Sequence, residues 1–228
     1  ISSQTGVQAF DALLYIVYPW FMVLLFLIAG ISARYSLDKR SDKQFMSDRV
    51  LKLLVPSTLG LFAYHWITGY LYLKLGSGME YIPIFLRYPI FSISGIGPLW
   101  FVQTLFLFSI LIVLIRKVDR KDKLWNFFAN CNLISILLLV IPIWGASQIL
   151  NLPVLTMYRF GIYGVAFLLG YFIFSHDKVQ DTVERVHIPM LILAIVLGGF
   201  YTIYYYGKDY TSGQCLQSFF TNVYLWVA

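Results

Sequence analysis

The chain has 228 residues, 59% hydrophobic and 12% charged, and a net charge of +6. Soluble domains carry about 25% charged residues, so this density excludes an ordinary water-facing globule and fits a protein whose outer wall meets lipid. The basic surplus is not a nucleic-acid footprint, because its placement along the chain follows membrane orientation, and neither Cys131 nor Cys215 sits in a metal-ligand spacing.

A hydrocarbon core about 30 Å thick takes about 20 helical residues. Apolar runs of that size, nearly free of charge, recur along the chain. Residues 12–33 form the first expected span and 53–73 the second, with His65 inside it. The third starts near Pro98 and ends at Ile115. The fourth, 132–144, is short, and its ends are expected to reach into 127–129 and 146–150. The fifth covers 158–174, the sixth 188–206, and the seventh begins near Leu216 and runs to the chain end. The runs are continuous rather than alternating in polarity, so helices are expected and not barrel strands. The fold class is therefore all-α: a polytopic transmembrane helical bundle of about seven helices. The chain reads as a single transmembrane domain over 1–228, cut at both ends, since it starts at Ile1 and stops inside an apolar run.

Between the second and third spans, YIPIFLRYPIFSISGI (81–96) is too short and too proline-broken to cross, and its aromatics suit an interfacial or re-entrant segment. Pro98 and Pro189 are placed to open helices. Pro19, Pro56 and Pro142 predict kinks or local unwinding.

Orientation follows from the cations. The first connection and the start of the second span hold Arg34, Lys39, Arg40, Lys43, Arg49 and Lys52. RKVDRKDK, between the third and fourth spans, holds Arg116, Lys117, Arg120, Lys121 and Lys123, and the fifth-to-sixth connection adds Lys178 and Arg185. Only Lys74, Arg87, Arg159 and Lys208 fall in the intervening connections. The two sets alternate strictly, so the positive-inside rule places the first set in the cytoplasm.

SDRVLKLLVPSTLG (47–60) concentrates the question of function. Arg49 and Lys52 are i and i+3, a spacing that shares a helix face, and Arg34 ends the first span across a short connection. Cations at that level either snorkel to lipid headgroups or hold an anionic cytosolic ligand, with Arg gripping phosphate bidentately and Lys as a point charge.

Three stretches, PWFMVLLFLIAGISARYSLDKRS, FMSDRVLKLLVPS and GPLWFVQTLFLFSILIVLIRK, together resemble the membrane-bound acyltransferase family 3. That family includes sugar O-acetylases of bacterial envelopes and glucan-modifying acyltransferases. Its members show an apolar helix ending in Ser-Gly, a basic loop, an Arg-x-x-Arg step before a proline, and a His-Leu-Trp-Phe helix start. Here Ala29-Gly30, Arg49-x-x-Lys52 and Pro98-Leu99-Trp100-Phe101 stand in those places. The likeness runs in order over most of 15–120. It implies about ten helices in the whole protein, acyl-coenzyme A as co-substrate with no bound cofactor or metal, and a hydroxyl of a glycan or similar acceptor. It also implies a bacterial inner membrane. The family's catalytic histidine lies in a helix upstream of this sequence, so the catalytic residue is not identified, and none of His65, His176 or His187 takes its place. By this resemblance Arg34, Arg49 and Lys52 bind the acyl donor. Lys for Arg keeps the charge but loses the fork.

Other residues admit two readings. His65 lies about 20 Å along its helix from the basic end, where an ionisable group is a functional candidate or a neutral imidazole bonded to a neighbouring helix. Arg159 either snorkels to the outer interface or binds an acceptor or lipid phosphate, and Asp11 is a possible partner. Trp100 and Gln103 share a face of the third span and either pack there or shape the acyl or acceptor pocket. Gly161, Gly164 and Gly170 form a small-residue face for close packing. His176, Asp177, Asp181, Glu184 and His187 read either as the contents of a solvated loop or as a carboxylate–His general base. The expected function is transfer of an acetyl or short acyl group from acyl-coenzyme A to a hydroxyl. The alternatives are a transporter or flippase for a lipid-linked or small polar substrate, and a non-catalytic membrane sensor or scaffold.

Overall fold

The computed structural model describes residues 5–75, 83–94, 99–119, 121–149, 151–152, 158–205, 215 and 217–228. Pro98, Leu216 and Lys208 lie outside these, as does the side chain of Asp11. Regular structure among the described residues is helical apart from one antiparallel pair of two-residue strands, β1 (Asn151–Leu152) and β2 (Tyr158–Arg159), in register Asn151 with Arg159. The helices are α1 (Thr5–Lys39), α2 (Asp42–Leu75, in consecutive pieces), α3 (Ile84–Ser94), α4 (Leu99–Val118), α5 (Lys123–Phe127), α6 (Leu133–Leu138), α7 (Val140–Ser147), α8 (Phe160–Phe172), α9 (Asp177–Tyr205) and α10 (Phe219–Val227). Ile16–Lys39, Asp42–Leu71, Leu99–Val118 and Asp177–Tyr205 are each long and apolar enough to cross a membrane. The fourth expected span is a bent pair, Lys123–Asn130 followed by Leu133–Ser147 at 117°. Side chains such as Ile188, Leu191, Ile195 and Ile203 of α9 are exposed, as a lipid-facing wall requires.

The chain packs as two units, residues 1–35 with 119–228, and residues 36–118. In the first, α1 and α8 cross with their backbones in contact. A Cβ on Gly30 would lie 2.0 Å from the Phe167 carbonyl oxygen, and one on Gly170 would lie 2.0 Å from that of Leu27. Small residues allow this approach, which supplies the packing that apolar lipid does not drive. Gly161 meets the carbonyls of Ala146 and Ile149 in the same way, so the glycines of the fifth span serve two different neighbours. Phe26 stacks on Tyr163 at 4.8 Å beside this crossing. The Tyr224 hydroxyl donates to the Ile16 carbonyl at 2.7 Å, and Trp226 Nε1 donates to that of Ile136 at 2.9 Å, tying α10 to α1 and α6.

In the second unit a capping box formed by Ser41 and Gln44 starts α2 only two residues beyond α1. The helix widens into a π-turn at Val50–Leu54, immediately before Pro56. Proline clashes with the carbonyl four residues back, and the wider turn relieves the conflict, which is the local unwinding expected there. A second π-turn, Leu61–His65, carries His65. The 81–96 segment contains α3, which packs on the end of α2: a Cβ on Gly69 would lie 1.8 Å from the Phe91 carbonyl oxygen. Ile84 and Phe85 stay exposed, in keeping with an interfacial position.

Several boundaries differ from the sequence expectation: α1 continues to Lys39, Tyr158–Arg159 pair as β2 ahead of α8, and two more shift on the later spans. The stretch 177–187 is not a loop but the first turns of α9, with Pro189 inside the helix. The polar residues there simply continue a helix past its apolar section, and no Gly or Pro precedes Pro189 to stop it. Residues 127–129 belong to the first arm of the bent pair and do not run in line with its second arm. Asn132 caps a new helix by accepting from Ser135 N at 2.9 Å, and the chain turns before it.

Candidate functional site

Arg34 lies one turn beyond the Gly30 crossing, and the close approach of α8 buries it to 6% exposure. Its Nη1 and Nη2 donate to Asp122 Oδ1 and Oδ2 at 3.1 and 3.3 Å, and Nη1 reaches the Tyr171 hydroxyl at 3.4 Å. The guanidinium also lies over the Trp125 ring, 4.4 Å from its centroid. Trp125 is itself fixed. Its Nε1 donates to Ser175 Oγ at 2.8 Å, and the His176 ring stacks on it at 3.9 Å. His176 Nε2 lies 2.9 Å from the Trp125 carbonyl oxygen, an acceptor, so Nε2 carries the proton. Burial pushes the His176 pKa down, against the hydrogen bond to the Trp125 carbonyl, and nearby Arg34 lowers it further. His176 is thus a buried neutral part of this stack, not the loop residue expected.

Arg49 and Lys52 belong to the other unit and are far more accessible. The Arg49 guanidinium lies 4.9 Å from the centroid of the buried Phe45 ring. Lys52, 70% exposed, lies 4.0 Å from Asp48, which also pairs with Arg40. Because Lys52 falls in the π-turn, the two cations are not related by an α-helical i, i+3 step. Arg116 donates to the Leu37 carbonyl at 3.0 Å and lies 3.8 Å from Asp42. Arg40, Arg49, Lys52 and Arg116 therefore surround two carboxylates, leaving positive charge at this end of the unit.

The remaining candidates separate. His65 is 7% exposed, beside the Tyr64 ring at 4.9 Å, and its Nδ1 has no hydrogen-bond partner among the described residues. Trp100 and Gln103 sit about one turn apart on α4, both half-buried, with Trp100 edge-on to Phe101. Arg159 is 4% exposed at the start of α8 and does not snorkel to an interface. Tyr163, Tyr18, Tyr201 and Cys215 lie around it. An apolar cavity of about 280 Å³ in the same unit, lined by Trp20, Leu24, Ile136, Phe174, Met190 and Trp226 among others, offers room for a hydrocarbon chain but little polar chemistry.

Asp122, Trp125, Tyr171 and His176 form the Arg34 setting, which sequence reasoning missed. One signal was available. Asp122 is a carboxylate inside the basic run RKVDRKDK, and such a residue invites a partner.

Apolar-walled helices, cations gathered at helix ends and ionisable groups held among the spans define a polytopic membrane protein with polar chemistry inside its bundle. A family model described as an acyltransferase domain matches residues 1–228, and the chain belongs to acyltransferase family 3. No curated protein and no solved structure matches it.

Proposed function

We propose that this membrane acyltransferase uses acyl-coenzyme A as donor and transfers an acetyl or short acyl group to a hydroxyl of a glycan or similar acceptor. The observation that carries the donor assignment is the basic end of the 36–118 unit, where Arg40, Arg49, Lys52 and Arg116 outnumber Asp42 and Asp48. Coenzyme A brings several phosphate charges. Arg49 offers a fork whose stem is braced on Phe45, and Lys52 a mobile point charge. The positive-inside rule puts this end in the cytoplasm, where the donor is made. A general base would take the acceptor's hydroxyl proton as the oxygen attacks the thioester carbonyl, releasing the coenzyme A thiol. Trp100, Gln103, His65 and Arg159 are the acceptor-side candidates. The membrane is the bacterial inner membrane in this reading.

Binding of labelled acetyl-coenzyme A to the full-length protein tests it. Losing one charged contact costs about 1.5–3 kcal/mol, roughly 10- to 150-fold in affinity. Arg49→Ala and Lys52→Ala are each expected to weaken binding by that factor. Wild-type affinity in both variants would refute their assignment.

A further inference from the structure

We propose that the Arg34 guanidinium is a seat for an oxyanion of the acyl donor, and that the Asp122 carboxylate fills the seat until the donor displaces it. The inference rests on the donor reading above.

The seat is built, not incidental. Trp125 and Tyr171 fix the guanidinium plane, and both terminal nitrogens point at one pair of oxygens. A phosphate presents its oxygens to an arginine fork as a carboxylate does. The two partners differ in their hold. Arg34 is 7% exposed in its side chain and Asp122 is 39% exposed, so the carboxylate can leave for water while the cation cannot.

Asp122 has, among the described residues, no side-chain hydrogen bond or ion pair besides those with Arg34. It stands at the cap position of α5, yet its side chain makes no cap hydrogen bond. Asp119 takes that work, accepting from Lys123 N at 2.9 Å and Leu124 N at 2.8 Å. The Asp122 backbone has φ +48°, the left-handed region that non-glycine residues seldom occupy. The carboxylate is thus held toward Arg34 by an unusual turn instead of serving the helix beside it. The exposed Lys121 and Lys123 flank it and would favour a multiply charged anion over a single carboxylate.

A purely structural ion pair and a displaceable one predict opposite signs. Coenzyme A is titrated into the full-length wild type, Asp122→Asn, and the double variant Arg34→Lys/Asp122→Asn. With the competing charge gone, the competent state no longer has to be won from Asp122, and Asp122→Asn is expected to bind about tenfold tighter. The gain should vanish in the double variant, which lacks the fork. A second measurement needs no variant: carbodiimide labelling of Asp122 in the wild type, read by mass spectrometry, should rise when coenzyme A saturates the protein. Equal or weaker binding by Asp122→Asn, or labelling unchanged or reduced by coenzyme A, would overturn the inference while leaving wild-type donor binding intact. If the wild type itself does not bind coenzyme A, the donor reading fails, and this inference with it.

Discussion

Arg34 and the Arg49–Lys52 pair carry the same charge at neighbouring places in the sequence, yet their surroundings differ in kind. Arg34 sits where two helix backbones touch, with a carboxylate, a hydroxyl and an indole face arranged around it. Lys52 reaches into the open, and Arg49 is anchored only along its stem on Phe45. A buried cation must have its partners built in, because desolvation is too costly otherwise. An accessible one can leave its charge for a ligand. The environment, not the residue type, separates a cation whose seat is already filled by a carboxylate from one whose charge stands open to a ligand.

The largest effect that could break this contrast is on stability. Arg34→Ala removes the partner of the Asp122 carboxylate and one contact of the Tyr171 hydroxyl. Breaking a buried pair costs about 3–5 kcal/mol, and the partial exposure of Asp122 reduces the expected loss to about 3 kcal/mol. Chemical denaturation in detergent would measure it, and a loss below about 1 kcal/mol would place Arg34 with the accessible cations. Arg34→Lys keeps the charge but not the fork, with an expected cost of about 1–2 kcal/mol. Arg49→Ala should lose at most about 1 kcal/mol, through the contact with Phe45.

A smaller effect sharpens the picture of the Arg34 setting. His176 has its folded pKa below the unfolded value of about 6.5, so the unfolded state binds more protons between the two. Stability should be full above the unfolded pKa and fall as pH drops below about 6.5 toward the folded value. Thermal unfolding followed from pH 7.5 to 5 should show this decline, and His176→Phe, which keeps a ring on Trp125, should remove that part of it. An unchanged pH profile in the variant would contradict a buried neutral imidazole. Lys52→Ala is expected to change stability by less than about 0.5 kcal/mol, as surface pairs usually do.

Much of the architecture was legible because lipid imposes length and apolarity on whole segments. The described residues of the spans at 12–33, 53–73 and 98–115 lie in helix, and Gly161 and Gly170 of the fifth span are where α8 meets two neighbours. The polar start of α9 was not legible in the same way. Charged residues such as Asp181 and Glu184 look alike in a loop and in a helix that has left the bilayer. The 117° turn before Leu133 depends on where α5 packs, which no local pattern states, although Asn132 carried the cap signal. The Arg34 setting was illegible for a related reason. Residues 34, 122, 125, 171 and 176 come together only through the crossing of α1 and α8 and the turn that follows α4.

Comparing coenzyme A with pantetheine, which lacks the nucleotide and its phosphates, tests the central claim most directly. In titrations of the full-length wild type, coenzyme A should bind at least about a hundredfold tighter, and most of that preference should disappear in Arg49→Ala/Lys52→Ala. Equal affinity of the wild type for both ligands, or a preference that survives in the double variant, would contradict it.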